Sequence, residues 1–380
     1  MYDENFIRAA DFIIYRSGVN TKAFNCSTGE VDFNNLHADV AINGAISKLT
    51  YAGTIFLQHG LYTLYAPIDF GAKAITLEGT HGGSTYPTTA AYGVSLKYNT
   101  TIGADYVIKV GQNGITSTGS QIRNLLIDCI SNIDCLGGIH YTNNIHGKME
   151  NIIIDHVYNT ATPGYGINIE GTGGGVAYWN ILQNIHTRHN TVGIRLGEDS
   201  NACCIIGGRL TGRTTVATTG LLLDGTDTLC LHGPCDCELH AHANGIGVHI
   251  ISRHSNSFFG LRCEGNMKDV VIDNGAFTGL NHFFGGVLTS AVVGYVPVTD
   301  NGSAKSYFYG ISYYKTENWG TSTGTGAQQT IAHGLQEIPS CVMLSDKESA
   351  AGPYQSAAAD ITNIYVTAAN NQDWSWFVRV

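Results

Sequence analysis

The amino-acid sequence predicts an all-β fold, a parallel β-helix in which short strands stack coil upon coil. Three observations support this prediction: the composition, a repeated unit of two strands, and the alternation of apolar and polar residues inside that unit. The chain of 380 residues has 47 glycines and 7 prolines, and only 13% of its residues are charged. This composition is typical of many short strands joined by tight turns and does not favour helices.

The repeated unit begins with a strand that occurs six times in similar form. Its copies are "RNLLIDCISN" from Arg123, "ENIIIDHVYN" from Glu150, "QNIHTRHN" from Gln183, "IGGRLTGR" from Ile206, "GPCDCELH" from Gly233 and "FGLRCEGN" from Phe259. A second strand follows each copy, and its centre recurs every 27 or 28 residues and finally after 22, at Ile139, Ile167, Ile194, Leu221, Val248 and Val270. Such a unit cannot bury its apolar side alone, so we expect the coils to stack with each strand paired to its counterparts.

Alternation along the first strand predicts which residues face inward. The inward residues are small or apolar, namely Ile152, Ile154, Ile185, Thr187, Gly208, Leu210, Cys235, Cys237, Leu261 and Cys263. The outward residues are mostly charged, namely Leu126, Asp128, Ile153, Asp155, His186, Arg188, Arg209, Thr211, Asp236, Glu238, Arg262 and Glu264. Because successive coils lie about 4.8 Å apart, the outward residues are expected to form one continuous charged surface.

Carboxylates on this surface could hydrolyse a glycosidic bond. Asp236 and Glu238 on one strand would be about 6.6 Å apart, and Glu238 and Glu264 on adjacent coils about 4.8 Å apart. Inverting hydrolases place their two carboxyl groups about 6.5–9.5 Å apart and retaining hydrolases about 5 Å apart, so either pair fits. The structural alternative is a solvated ladder of charges in which Arg209 and Arg262 balance the acids.

A lyase would use other members of the same surface. β-Elimination from a uronic acid needs a cation beside the sugar carboxylate and a base for the C5 proton. His186, Arg188 and Arg209 provide both between Asp155 and Glu238, so the expected catalytic residues are Asp155, His186, Arg188, Arg209, Asp236, Glu238 and Glu264. The expected substrate-binding residues are Arg195 and His249 on the second strand, Arg262, and the aromatic residues Tyr158 and Trp179.

No metal site or cofactor is expected from the sequence. The segment "CDCELH" has as many potential metal ligands close together as a metal site. However, Cys235 and Cys237 should face inward while Asp236, Glu238 and His240 face outward or turn away. These side chains would not converge on a tetrahedral zinc ion. No motif supports Ca²⁺ either, and the cysteines are interpreted as small buried apolar residues.

The segment 37–82, "HADVAINGAISKLTYAGTIFLQHGLYTLYAPIDFGAKAITLEGTHG", resembles the opening of pectate-lyase-superfamily right-handed β-helices. The resemblance implies that the amphipathic helix "DVAINGAISKL" caps the solenoid and that a strand pair then begins the coils. It covers about residues 37–310 and implies the fold rather than an activity, because such solenoids host lyases, hydrolases, epimerases and adhesins. The catalytic motifs of polygalacturonases and pectate lyases are missing, so no family residue can be carried over.

The sequence divides into four expected parts. Residues 1–36 form an N-terminal hairpin leader, 37–310 the capped β-helix, 311–325 a linker, and 326–380 a small antiparallel β-module. The last part resembles the C-terminal modules of viral tail-fibre and tailspike proteins, which implies trimerisation or receptor binding. We therefore expect a homotrimer.

The net charge of −10, without a Lys/Arg cluster, is unfavourable for nucleic-acid binding. No signal peptide and no apolar stretch of membrane-spanning length is visible, so no membrane insertion is expected. The expected function is cleavage of an extracellular polysaccharide by a tailspike-type depolymerase, either extracellular or virion-associated. The alternatives are a non-catalytic receptor-binding spike and a free polysaccharide lyase or uronate epimerase.

Overall fold

A computed structural model describes residues 10–80, 93–99, 104–129, 134–157, 164–225, 231–252, 254–273, 280–302, 306–346 and 352–380. The chain forms two compact units. The first consists of Met1–Phe283 with Thr289–Tyr307, and the second of Phe284–Leu288 with Phe308–Val380.

The elements of the N-terminal part and the coils follow one another along the chain. They are β1 (Phe12–Ser17), β2 (Asn20–Asn25), β3 (Glu30–Asn35), α1 (Ala38–Lys48), β4 (Ala52–Leu57), β5 (Gly60–Leu64), β6 (Ile68–Asp69), β7 (Ala74–Gly79), β8 (Val94–Tyr98), β9 (Tyr106–Val110), β10 (Ser117–Thr118), β11 (Gln121–Asp128), β12 (Gly137–Thr142), β13 (Asn144–Ile145), β14 (Lys148–Asp155), β15 (Tyr165–Glu170), β16 (Ile181–Arg188), β17 (Val192–Leu196), β18 (Cys204–Thr211), β19 (Thr219–Leu223), β20 (Leu231–His232), β21 (Asp236–Glu238), β22 (Ile246–Ile250), β23 (Ser257–Glu264), β24 (Lys268–Ile272), β25 (His282–Thr289) and β26 (Val296–Asp300).

Two long parallel sheets form the coils of the first unit. The first sheet runs from β4 through β7, β11, β14, β16, β18 and β21 to β23, and the second sheet runs from β6 through β9, β12, β15, β17, β19, β22 and β24 to β26. A short third sheet pairs β10 with β13. The predicted fold, an all-β right-handed parallel β-helix with an N-terminal cap helix and a C-terminal antiparallel β-domain, is confirmed.

The register of both sheets matches the repeat. In the first sheet one row contains Leu126, Ile153, His186, Arg209, Asp236 and Arg262, and the next outward row contains Asp128, Asp155, Arg188, Thr211, Glu238 and Glu264. In the second sheet the predicted centres Ile139, Ile167, Ile194, Leu221, Val248 and Val270 stand in one row. The observed pairings therefore place the predicted outward residues of the first strand in rows of their own, as the repeat predicts.

A column of glycines lets the two sheets approach each other in the core. The column contains Gly138, Gly166, Gly193, Gly220 and Gly247. A Cβ atom at Gly193 would lie 2.5 Å from the carbonyl oxygen of Gly220 and 2.7 Å from Oγ1 of Thr187 in the first sheet. The inward ends of the first-sheet strands are correspondingly small, which explains the buried Cys237 and Cys263. The outer faces of the two sheets therefore point away from each other.

The turn after the first-sheet strands contains a buried ladder of polar side chains. Asn190 accepts a hydrogen bond from the Val157 N–H at 2.7 Å, and Asn266 accepts one from the His240 N–H at 3.0 Å. His240 occupies the same place in the coil between them, and its Nε2 lies 3.2 Å from the Leu210 carbonyl oxygen. Burial lowers the pKa of His240 to about 4, so this histidine is neutral at neutral pH.

Helix α1 and the N-terminal strands close one end of the ladder of strands. Asp39 in the first turn of α1 is buried, and its Oδ1 accepts a hydrogen bond from the Tyr65 N–H at 2.8 Å. Strands β1, β2 and β3 form an antiparallel meander, and β1 also pairs in parallel with β4. The predicted leader is thus continuous with the first sheet. Within the ranges described, no helix is long and apolar enough to cross a membrane.

The second unit contains two antiparallel sheets of three strands each. Its elements are β27 (Tyr307–Tyr309, which begins in the first unit), β28 (Glu317–Thr323), β29 (Gln328–Ala332), β30 (Cys341–Asp346), β31 (Tyr354–Ala357), β32 (Asn363–Thr367) and β33 (Asp373–Arg379). The sheet orders are β28-β33-β30 and β29-β32-β31. Trp374, Ile364 and Val366 are at the centre of its core. Strand β28 lies within residues 311–325, the range predicted as a linker. It pairs along its whole length with β33 and so belongs to a sheet of the second unit.

The cysteines that the structure describes are free thiols. Six are buried: Cys129, Cys135, Cys203, Cys235, Cys237 and Cys263. A hydrogen bond with the Cys135 thiol, whose Sγ lies 3.4 Å away, and then burial raise the pKa of Cys129. These side chains pack as small apolar groups, as the sequence predicts.

Candidate functional site

Most of the predicted site residues meet on the outer side of the first sheet. We call this surface the charged face and define it by eight residues: Asp155, His186, Arg188, Arg209, Asp236, Glu238, Arg262 and Glu264. They stand in two adjacent rows at the C-terminal ends of strands β14, β16, β18, β21 and β23. The charged face therefore follows from the repeat: one pair of outward positions is presented again in every coil.

A groove of about 600 Å³ opens at one end of the charged face. It is lined by Arg209, Glu238, Leu239, Arg262, Glu264, Gly265, Thr289, Ser290 and Ala291. Two carboxylates, two guanidinium groups and small hydroxyl-bearing residues thus surround one open space. Gly265, which also lines the groove, has a φ of +69°, a conformation that favours glycine, and adds no side chain to the open space.

The two carboxylates of the groove have different environments. The Glu238 side chain is only 7% exposed, and its Oε1 lies 2.5 Å from Nε of Arg209. Thr211 donates a weaker hydrogen bond to the same oxygen at 3.4 Å. Glu264 pairs with Arg262, and its side chain is 47% exposed. Since Glu238 and Glu264 are register partners on adjacent coils, a buried and an open carboxylate face the groove side by side.

His186 lies on the charged face one coil before Arg209. Burial lowers its pKa, and the positive charges of Arg209 and Arg188 lower it further, while Asp236 opposes them. The ring is therefore neutral at neutral pH. Its Nε2 lies 2.9 Å from Oδ1 of Asn184, so Nε2 carries the proton and Nδ1 the lone pair.

Asp155 is nearly buried at the far end of the charged face. Its Oδ2 lies 2.5 Å from Nη2 of Arg188, and its Oδ1 lies 2.9 Å from Nδ1 of His189 and 3.3 Å from Nδ1 of His156. Neither histidine is among the site residues predicted from the sequence. The signal was present, because "IDH" and "TRH" end with histidine at the same position of successive repeats.

Arg195 and His249 are not part of the charged face, because both lie on the outer side of the second sheet. Arg195 pairs with Asp224 at 2.9 Å and with Glu170 at 2.5 Å, and His249 lies 2.8 Å from Asp273. Burial alone would raise the pKa of Glu170, but hydrogen bonds from His140 and Arg195 and the arginine charge lower it to about 2.

A second, smaller cavity of about 400 Å³ lies on the second-sheet side of the first unit. Its polar lining includes Asp69, Lys109, Asn113, His140 and Thr142. The His140 ring stacks on Tyr106 at 4.4 Å between ring centroids. This side of the coil thus has a polar site of its own, apart from the groove.

The predicted stacking residue Trp179 is also separate from the groove. Trp179 is 51% exposed and stacks on His146 with ring centroids 5.0 Å apart. It precedes the N-terminal end of β16, whereas the charged face occupies the C-terminal ends of the strands. Tyr158 lies outside the described residues.

Comparisons with known proteins give similar solved structures but no family. No family model matches, and no curated protein matches. Similar solved structures include the ORF18 protein of Geobacillus virus E2, at 14% identity and a TM-score of 0.47, covering 86% of this chain and 72% of that one.

Two further solved structures resemble the chain at a similar distance. The tailspike gp49 of the Acinetobacter baumannii bacteriophage Fri1, described as a capsular polysaccharide depolymerase, has 9% identity and a TM-score of 0.41, over 89% of this chain and 80% of that one. The A-module of a mannuronan C-5 epimerase from Azotobacter vinelandii has 15% identity and a TM-score of 0.34, over 73% of this chain and 92% of that one. At these scores the likenesses carry no conclusion about activity, which has to be argued from the residues of the groove.

Proposed function

We propose that this protein is a polysaccharide depolymerase of tailspike type that binds an extracellular glycan along the charged face and hydrolyses it in the groove. The observation that carries the proposal is the pair Glu238 and Glu264, two register partners that line one open space with an arginine beside each. On a chain with 13% charged residues, this concentration on one surface needs a reason beyond solubility.

The proposed hydrolysis divides the work between the two carboxylates. Their Cα atoms are one coil apart, about 4.8 Å, so carboxyl groups that keep this spacing would match the separation of about 5 Å between the carboxyl groups of retaining glycosidases. Held by Arg209 and Thr211, Glu238 is the fixed group and is assigned as the nucleophile. Glu264 is open to solvent, and we assign it as the acid that protonates the leaving oxygen and then activates water.

Elimination at a uronic acid is the second candidate function, and His186 favours it. A neutral imidazole with its Nδ1 lone pair is the form that takes a proton from C5 of the sugar. Arg188 lies two residues further along the same strand and Arg209 one coil away, where they could neutralise the sugar carboxylate. Both reactions release a new reducing end, but elimination leaves an unsaturated uronate at the new non-reducing end, where hydrolysis leaves an intact sugar ring.

The products of the reaction distinguish these functions from each other and from the alternatives. The protein is incubated with alginate, pectate and bacterial capsular polysaccharides, while reducing ends and the ultraviolet absorbance of unsaturated uronates are followed. Reducing ends without that absorbance are the expected result, and absorbance would assign the lyase. Tight glycan binding without any product would make the protein an adhesin, and inversion at C5 without cleavage would make it an epimerase.

We also propose a homotrimer that is extracellular or virion-associated. An exposed apolar row crosses one sheet of the second unit, where Trp319, Phe377 and Met343 are register partners. Trp319 is 70% exposed and Met343 60% exposed, which supports assembly through this sheet. A mass in solution of three chains of 40.7 kDa is expected, and a variant lacking residues 326–380 should lose it.

A further inference from the structure

Two histidines and a carboxylate converge at the end of the charged face that is remote from the groove. His156 and His189 follow β14 and β16 directly, and both have left-handed backbones, with φ of 61° and 56°. Their rings stack with centroids 4.9 Å apart. Because each backbone turns in the same way, both Nδ1 atoms face the carboxylate of Asp155.

The separations between these atoms correspond to those of ligands around one metal ion. Oδ1 of Asp155 lies 2.9 Å from Nδ1 of His189 and 3.3 Å from Nδ1 of His156, and all three atoms lie within 4.8 Å of one another. Ligands at about 2.0–2.1 Å from a zinc ion are about 3.3 Å apart in a tetrahedron. The three atoms are thus close enough together for one ion to contact all of them.

A second observation points to a missing ligand at this position. Nδ1 of His156 is buried and makes no hydrogen bond with the residues that the structure describes, although the Asp155 and Asp128 carboxylates lie 3.3 and 3.6 Å away. A buried polar atom without a partner costs about 1–3 kcal/mol, so an unexplained case calls for a ligand. A metal ion bound to Nδ1 would satisfy this atom without a proton.

The surroundings of Asp155 support the same role. Arg188 holds Oδ2 at 2.5 Å, which orients the carboxylate with Oδ1 towards the two imidazoles. Asp128 is one coil away in the same row, and its Oδ1 lies 3.6 Å from Nδ1 of His156. It could supply a fourth ligand. Two imidazoles with carboxylates suit zinc and related transition metals, whereas Ca²⁺ and Mg²⁺ prefer oxygen ligands alone.

We propose that Asp155, His156 and His189 bind one divalent transition-metal ion of the zinc class, with Asp128 as a fourth ligand. This inference departs from the sequence-based expectation that the protein has no metal site. Asp155 belongs to the charged face, but the cluster is remote from the proposed catalytic pair, because Asp155 and Glu238 are three coils apart in one row, about 14 Å. The ion would join two successive coils at the turn where the charged face ends.

The test uses the full-length protein after treatment with a chelator. Titration with ZnCl₂ in a calorimeter is expected to give one ion per chain, and Co²⁺ should give the visible absorption bands of a low-coordinate site. The variants His156→Asn and His189→Asn keep a residue that tolerates a left-handed backbone. Each is expected to weaken zinc binding at least tenfold. His146→Asn is the matched control, because His146 has a φ of 56° outside the cluster, and it should bind zinc like the wild type.

Two results would overturn the proposal. The first is a wild-type protein that takes up no stoichiometric zinc, in which case Arg188 and histidine protons alone balance Asp155. The second is unchanged zinc binding in both variants. X-ray absorption at the zinc edge of the wild-type protein does not depend on how the variants fold: two imidazole ligands are expected, and a spectrum with none would refute the site.

Discussion

The variant Glu238→Gln tests the proposed division of work in the groove. The substitution keeps the size of the side chain and removes its charge, and with it the 2.5 Å ion pair to Arg209. Loss of a catalytic carboxylate is expected to lower kcat about 10²–10⁴-fold. The cost in stability should be small, because the Arg209 side chain is 46% exposed and such half-solvated pairs contribute about 0–1 kcal/mol. Activity and folding should therefore separate clearly.

The assay measures initial rates of reducing-end release, together with thermal unfolding of each variant. Glu264→Gln should lose activity to a similar extent, whereas Glu150→Gln, which breaks a 2.8 Å ion pair with Lys148 on the same sheet, should keep it. Asp236→Asn distinguishes the two carboxylate pairs, because an inverting site formed by Asp236 and Glu238 would be inactivated by this change. Full activity of Glu238→Gln would refute the reasoning.

Three further predictions concern the core that supports the site. Burial raises the pKa of Asp269 from 3.8 to about 6, so its protonated form stabilises the fold below pH 4 and this contribution is lost as the pH rises through 6. The free energy of unfolding of Asp269→Asn minus that of the wild type should therefore be about 3 kcal/mol higher at pH 7 than below pH 4, as measured by urea unfolding. The pKa of His240 is lowered by burial from 6.5 to about 4, so its contribution is present above pH 6.5 and lost as the pH falls through 4. His240→Asn, which introduces the residue that Asn266 provides at this place in the next coil, should remove that loss at acid pH. Gly193→Ala places a Cβ 2.5 Å from the Gly220 carbonyl oxygen and should cost about 1–3 kcal/mol in the same measurement.

Each of these variants has a result that would contradict it. Asp269 and His240 change the free energy of unfolding with pH in opposite directions. The free energy of unfolding of each variant is therefore compared with that of the wild type at each pH. A difference for Asp269→Asn that does not change between pH 4 and 7 would mean that the carboxyl is not protonated in the fold. For His240→Asn, an unchanged acid transition would exclude this histidine. Gly352→Ala is the control for Gly193→Ala, since no atom lies within 4 Å of its added Cβ, and equal effects of the two changes would refute the packing argument.

Sequence reasoning predicts the coil pairing well because the repeat has a nearly constant length. The alignment of Asp155, Arg188, Glu238 and Glu264 in one row needs only the period and the alternation of a strand. Burial of outward residues is a different matter. Asp155 and Glu238 are almost buried because arginines of neighbouring coils lie over them, and no pattern within one repeat contains that information.

The relation between the two sheets also escapes the sequence. Arg195 is expected to bind substrate from the second strand of the repeat, and the turn between the strands places it on the outer side of the second sheet, apart from the charged face. That turn depends on left-handed residues such as His156 and His189, which are not glycine and give no ordinary turn signal. The same two residues form the proposed metal site. Neither the turn between the sheets nor this site can be predicted without knowing that both histidines have left-handed backbones.

A crystal structure of the Glu238→Gln variant with a bound oligosaccharide tests the central claim most directly. A sugar chain is expected along the charged face, with one glycosidic oxygen between residue 238 and Glu264 and the flanking sugars against Arg209 and Arg262. Sugar bound instead beside Lys109 and His140 on the second-sheet side, with the groove empty, would contradict the account.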